Sequence, residues 1–229
     1  MPSAFDQSSY QVRLDWGTQG LARLAPADVV IVVDVLRFSS TLADAVATGR
    51  RIALTDALSW STNGAAVASV ASAASAPAGP DARPATVLVG GIRNAAATAR
   101  AVMSVQERQG ARASVSIVAA GELASTGELR FAVEDQLGAG AIIAALCDLG
   151  IDHSSPEAAA AAEAFRALRP GLRHMLSGSG SGRELVDGVA STARMEAAGV
   201  RPATTAEAAE LDAVDTVPVL CGGVFERFS

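Results

Sequence analysis

The sequence predicts an α/β protein of layered α/β/α design with a largely parallel or mixed central sheet. Three observations lead there. Short continuous apolar runs (Val29 to Val33, Thr86 to Val89, Ser114 to Ala120) have the length and β-branched content of strands buried on both faces. They alternate with longer stretches whose apolar residues recur at helical spacing, which is how crossover-connected strands read. Half of the residues are hydrophobic but only 4% are aromatic, so alanine, valine and leucine must fill the core.

Each element follows from local signals. After Val29–Val33, Leu42, Ala45 and Val46 mark a helix over Thr41 to Thr48, with Gly49 as its stop. Ile52 to Leu54 is short and apolar, a second strand. Asn63-Gly64 is a turn signal, followed by an alanine-rich helix. Ala76 to Ala85 carries three prolines and no periodicity, so it is a surface loop. The run from Thr86 leads through GGIRN into a helix from Ala95 to about Gln109, and the run from Ser114 ends at Gly121-Glu122. A long helix opens near Glu134-Asp135 and continues to Gly150. Another begins at Pro156, a residue suited to a first helical turn, and ends near Arg169. SGSGSG, Ser177 to Gly182, reads as a flexible loop before a short helix, and TVPVLCGGVFERF as two strands around a Gly-Gly turn. No internal repeat or linker divides the chain. Residues 1–229 are expected to form one unit or, at most, two interlocked subdomains meeting near 110–125.

Charge and cysteine content narrow the function. A formal net charge of −6 argues against nucleic-acid binding, though a few arginines in one cleft can still attract a small anion. The chain has no lysine, so every fixed positive side chain is a guanidinium; a compositional bias accounts for this better than function does. Two distant cysteines, Cys147 and Cys221, imply no disulfide framework and favour a reduced, cytoplasmic setting. The first residues lack the pattern of a signal peptide, and no apolar run approaches membrane-spanning length, so no membrane partner is expected. An alanine-rich helix such as Ala158 to Ala167 could support a homodimer; ordinary core packing accounts for it equally well.

The chemistry concentrates at strand ends, where ligands of open α/β sheets bind. Asp34, closing the first apolar run, is a hard oxygen ligand suited to Mg²⁺. Arg37 could grip a phosphate or sulfonate through two parallel hydrogen bonds. Ser39, Ser40 and Thr41 would surround the helix start, whose free amides favour anions. The alternative is that Asp34 pairs with Arg37 while the hydroxyls cap the helix. Asn63-Gly64, Arg93-Asn94 and Glu122 occupy equivalent positions after a turn or a strand. Glu134-Asp135 could hold a metal, although their placement at the positive end of a helix dipole accounts for them as well. Walker, dinucleotide, DxD-phosphatase and G-x-S-x-G patterns are absent, and His153 and His174 share no metal-ligand spacing.

Taken in order, VVDVLRFSST, STNGAA, GGIRNA, AAGE, the EDQLGAGAI helix and SGSGREL resemble the 2-phosphosulfolactate phosphatases, a family named for a step of coenzyme M biosynthesis. The resemblance implies a Mg²⁺-dependent phosphatase acting on 2-phospho-3-sulfolactate or a related small 2-phospho acid, with a family-specific α/β topology. It implies that Asp34 holds the metal with help from Glu122 or Glu134-Asp135, and that Arg37, Ser181, Arg183 and the helix-start amides bind the anion. Asp34 as the nucleophile itself is the variant mechanism. Two departures stand out. Only DALSW bridges a gap that carries an arginine- and glycine-rich loop in longer members, and Ala119 replaces a cysteine found in many relatives. A non-catalytic binder of an anionic metabolite is the rival reading.

Overall fold

A computed structural model describes residues 3–74, 83–124 and 126–229. Among the described residues, nine strands form two sheets. The strands are β1 (Val12–Trp16), β2 (Val29–Val33), β3 (Ile52–Ala53), β4 (Thr86–Gly90), β5 (Val115–Ala119), β6 (Glu122–Leu123), β7 (Leu129–Arg130), β8 (Pro218–Cys221) and β9 (Val224–Arg227). The main sheet has seven strands in the order β1-β5-β2-β4-β8-β9-β3, and β6 and β7 form a separate two-stranded ribbon. β1, β5, β2 and β4 run parallel, whereas β8, β9 and β3 extend the sheet by antiparallel pairing. The carboxyl ends of the four parallel strands therefore share one edge, the setting that favours a ligand site.

Alternation along each central strand feeds two separate cores. On β2, Val29, Ile31 and Val33 point into one core while Val30 and Val32 point into the other. The first core is covered by α5 (Ala95–Gln109), α6 (Val133–Asp148), α7 (Pro156–Leu168) and α8 (Leu172–Gly178). The second is covered by α2 (Ser40–Ala47), α3 (Leu54–Trp60) and α4 (Gly64–Ala74), with Met195 from α10 (Ala190–Ala197). The remaining helices are α1 (Gly17–Arg23), α9 (Gly180–Asp187) and α11 (Thr205–Ala208). The three layers agree with the expected fold class. Among the described residues, no helix is long and apolar enough to cross a membrane.

The structure departs from the sequence expectations in three places. β3 stops at Ala53 and lies at the antiparallel edge, because Leu54 already starts α3. SGSGSG is no loop: it spans the end of α8 and the start of α9, and Ser179 Oγ accepts the Gly182 N–H at 3.0 Å to cap the second helix. VRLDW, passed over in the sequence, is edge strand β1. Its Arg13 is only 5% exposed because the guanidinium donates to the carbonyls of Tyr10, Ala25 and Pro26. The loop expected over Ala76 to Ala85 lies largely outside the described residues.

Candidate active site

β2 delivers Asp34 to the carboxyl edge of the sheet, where residues 35–39 form one wide turn before α2. Asp34 is 7% exposed and forms part of the wall of a cavity of about 240 Å³. Its Oδ2 accepts hydrogen bonds from Ser61 Oγ at 2.9 Å and the Gly64 amide at 3.0 Å. Oδ1 receives only a long 3.4 Å contact from the Phe38 amide, so it is the less engaged oxygen. Burial pushes the Asp34 carboxyl up to about 6, against the lowering effect of these three donors, with Glu122 adding to the rise.

The STNG turn wraps this carboxylate. A Cβ on Gly64 would lie 2.6 Å from Asp34 Oδ2 and 2.7 Å from a Phe38 ring carbon, so only glycine lets the backbone amide come this close. Asn63 lines the cavity and donates through Nδ2 to Glu122 Oε1 at 3.1 Å. Glu122 itself leaves β5 and lies on the same wall. Thus Ser61, Asn63 and Gly64 link the acidic side chains at the ends of β2 and β5.

The cationic part of the cavity comes from Arg37 and Arg194. Arg37 donates to Thr192 Oγ1 on α10, and its Nε has no hydrogen-bond partner among the described residues. Burial lowers the pKa of Arg37 from the ordinary arginine value, and the charge of Glu196 opposes that shift. Arg194 donates to the Ser59 carbonyl at the end of α3. Ser181 and Glu184 from α9 and Ser191 from α10 add polar groups, while Trp60, Leu185 and Met195 form an apolar wall. The Trp60 indole N–H is buried without a hydrogen-bond partner among the described residues. A neighbouring trough of about 300 Å³ shares Glu122 and Ser181 with this cavity and is lined also by Arg130, Glu134 and Arg183.

Asp34, Arg37, Asn63, Glu122 and Ser181 therefore meet in one cavity, while Arg183 and Glu134 face the adjoining trough. The other candidates are engaged by partners within the fold. The hydroxyls of Ser39, Ser40 and Thr41 are consumed by the Asp34 amide, the Val35 carbonyl and the Ala203 amide, respectively. The alternative ion pair of Asp34 with Arg37 does not form. Arg93 is 8% exposed and bound to Asp44 at 2.8 Å, Glu210 at 3.4 Å and the Glu207 carbonyl. Asn94 accepts the Gly91 N–H and donates to the Thr216 carbonyl. Asp135 is not on the cavity wall, since both its oxygens accept backbone amides, from Val35 and Gly121.

Sequence reasoning missed Trp60, Glu184, Ser191, Arg194 and Met195. α3 occupies the stretch where longer relatives were expected to carry their arginine- and glycine-rich loop, and it ends by delivering Trp60 and Ser61 to the cavity. Only Ser61, inside the STNG turn, had a local signal.

None of the curated proteins matches the chain. A profile of 2-phosphosulpholactate phosphatase matches residues 55–223; it thus covers the STNG turn, Glu122 and α9, and begins after the DVLRFSST block. With most of its length matched and its acidic and cationic side chains gathered at one sheet edge, the chain belongs to the 2-phosphosulpholactate phosphatase family of phosphoric monoester hydrolases.

Proposed function

We propose that this cavity hydrolyses the phosphate monoester of 2-phospho-3-sulfolactate or a related small 2-phospho acid, with Mg²⁺ as cofactor, in the setting of coenzyme M biosynthesis. The observation that carries the reading is Asp34: a carboxylate with one lightly engaged oxygen, on the wall of a cavity that also presents Arg37, Arg194 and Glu122.

The donor set, with Asp34 and Glu122 on one wall, fits a magnesium ion. Such ions are commonly held by one or two carboxylates rather than by a dedicated cage. Among the described residues no group of three or more His, Cys, Asp or Glu side chains forms such a cage. Asp34 and Glu122 would hold the ion; when bound, it supplies charge neutralisation at a phosphoryl oxygen. Arg37 and Arg194 neutralise the remaining phosphoryl and acid oxygens, and the hydroxyls of Ser181 and Ser191 orient them. Ser61 and Gly64 hold Asp34 Oδ2, leaving Oδ1 as the oxygen free to act. Asn63 fixes Glu122, which is then placed to orient an attacking water. If Asp34 attacks phosphorus directly, that same oxygen forms the new P–O bond and the alcohol oxygen leaves with the electron pair.

The test is phosphate release from a panel of phosphorylated small acids, phosphosulfolactate among them, with Mg²⁺ and with a chelator. Metal-dependent release is the expected result. Thermal stabilisation by sulfolactate-like acids with no ester turned over would instead support a binding protein. Trapping a phosphorylated Asp34 by mass spectrometry separates direct attack from attack by water.

A further inference from the structure

Asp135 is a buried carboxylate that the mechanism above leaves unused. It stands in the first turn of α6, is 3% exposed, and spends both oxygens on backbone amides. Oδ1 accepts from Val35 at 2.7 Å and Oδ2 from Gly121 at 2.9 Å. Val35 directly follows Asp34, and Gly121 directly precedes Glu122. One carboxylate therefore holds the two chain segments that carry the acidic side chains of the cavity.

The topology explains why such a grip is needed. β2 and β5 pair in parallel up to Val33 opposite Ala119, and the Ala120 amide makes a further bond to the Val33 carbonyl at 2.8 Å. Beyond that point the chains part: one turns into residues 35–39 and α2, the other into the β6–β7 ribbon. Asp34 and Glu122 lie past the end of the ladder, where the sheet no longer fixes their separation. α6 approaches closely enough to span this gap because Gly138 lacks a side chain; a Cβ there would fall 2.5 Å from Val35 Cγ2. Two amide donors also require two acceptor oxygens in a fixed fork, which a carboxylate supplies and an amide side chain does not. Burial, with the charges of Asp34 and Glu134 nearby, raises the pKa of this group well above the ordinary aspartate value, against the lowering effect of the two amides.

We propose that Asp135 is a positioning residue that sets the spacing and aim of Asp34 relative to Glu122, and that it is not a metal ligand. The proposal rests on the reading of Asp34 and Glu122 as working groups, and its test separates the two ideas. In Asp135→Asn, one amide loses its acceptor and meets an N–H donor instead. Turnover should fall about 100-fold, the cost of misplacing reacting groups by roughly an ångström. KM should stay within about threefold of the parent, because the binding arginines are untouched. The Mg²⁺ concentration for half activation should rise modestly, because the two carboxylates that would hold the ion are the groups displaced, but saturating Mg²⁺ should not restore parent turnover. Asp135→Glu should be comparably impaired, since a longer arm cannot hold both amides in place.

Full recovery of parent turnover at saturating Mg²⁺ would make Asp135 a ligand and overturn the proposal, as would parent-like turnover in Asp135→Asn. A second measurement uses the unaltered protein: hydrogen-bond scalar couplings by NMR from the Val35 and Gly121 amide nitrogens to the single Asp135 carboxyl carbon. Both couplings are expected. Their absence overturns the proposal whether or not a variant folds, whereas a parent that hydrolyses no ester while showing both couplings sinks only the phosphatase reading.

Discussion

Two clusters stand beyond neighbouring strands of the same sheet and carry similar residue types, yet only one borders the cavity. After β2, Asp34 is held by Ser61 and Gly64 and still keeps one lightly engaged oxygen at the cavity wall. After β4, Arg93 donates to Asp44, Glu210 and the Glu207 carbonyl while its buried Nε has no hydrogen-bond partner among the described residues. Asn94 donates to the Thr216 carbonyl and accepts the Gly91 N–H, and neither residue lines the cavity. Both clusters are buried and polar. What separates them is access: the lightly engaged oxygen after β2 belongs to a residue on the cavity wall, whereas the spare Arg93 Nε is sealed inside the fold. A strand end thus makes a site only where unused capacity also reaches a cavity.

The sharpest way to break this contrast is to neutralise one member of each cluster. Asp34→Asn can keep its oxygen toward Ser61 and Gly64 and lose only the 3.4 Å contact to Phe38, so it should fold. Its phosphatase activity should fall by about 10³-fold, the order found when a charge-stabilising group is removed from a reacting centre. Arg93→Ala should do the reverse: chemical or thermal unfolding should show a loss of about 3 kcal/mol, because half-buried Asp44 and the Glu207 carbonyl lose a buried guanidinium partner, with KM little changed. If Arg93→Ala instead abolishes binding in a fully stable protein, the division between the clusters is wrong.

Gly64→Ala tests whether the close approach matters. The added methyl would meet Asp34 and Phe38 below ordinary contact distance, so a drop of about 1–3 kcal/mol in stability and about 100-fold in turnover is expected, read by denaturant melts and initial rates. Arg37→Ala should raise KM roughly 10- to 100-fold, equivalent to the 1.5–3 kcal/mol of a charge-assisted contact, with a smaller effect on turnover.

The smallest effect concerns pH. Asp34, raised to about 6 by burial, binds a proton more tightly in the folded protein than its ordinary value of 3.8 would allow. The resulting stability is fully present below about pH 4 and is lost as pH rises through 6. In the presence of a chelator, parent and Asp34→Asn melts should therefore diverge from pH 4 to 8 in favour of the variant, by on the order of 1–3 kcal/mol. Activity should run the opposite way, rising through pH 6 as the working carboxylate forms.

What the sequence disclosed and what it concealed have physical causes. β2 and α5 were legible because a run of β-branched residues and a sustained helical period are local properties. Asp34, Arg37 and Asn63 were legible as candidates because each stands at a chain reversal, and Glu122 because it closely follows a buried strand; Ser181 reads as part of a glycine-serine loop but lies in the first turn of α9. Ser39, Ser40 and Thr41 misled because hydroxyls at a helix start look free in a sequence, whereas the wide turn over residues 35–39 directs them inward. Ser177 to Gly182 misled because glycine and serine suggest a loop, yet Ser179 serves as a helix cap. Arg194 and Trp60 carried no local mark at all; tertiary packing of α10 and α3 against each other brings them to the same cavity. β1 was hidden by its charged residues, which edge position and carbonyl acceptors make tolerable.

The antiparallel wing of the sheet also constrains how the protein is made. β3 at residues 52–53 pairs with β9 at residues 224–227, and β8 joins the parallel strands through Leu88 opposite Val219. A ribosome must therefore have made residues 218–227 before that edge of the sheet can close, and loop-closure entropy delays pairings of such long sequence separation. During synthesis the open side of β4 stands unprotected, so chaperone occupancy on stalled nascent chains should persist until the β8–β9 hairpin emerges.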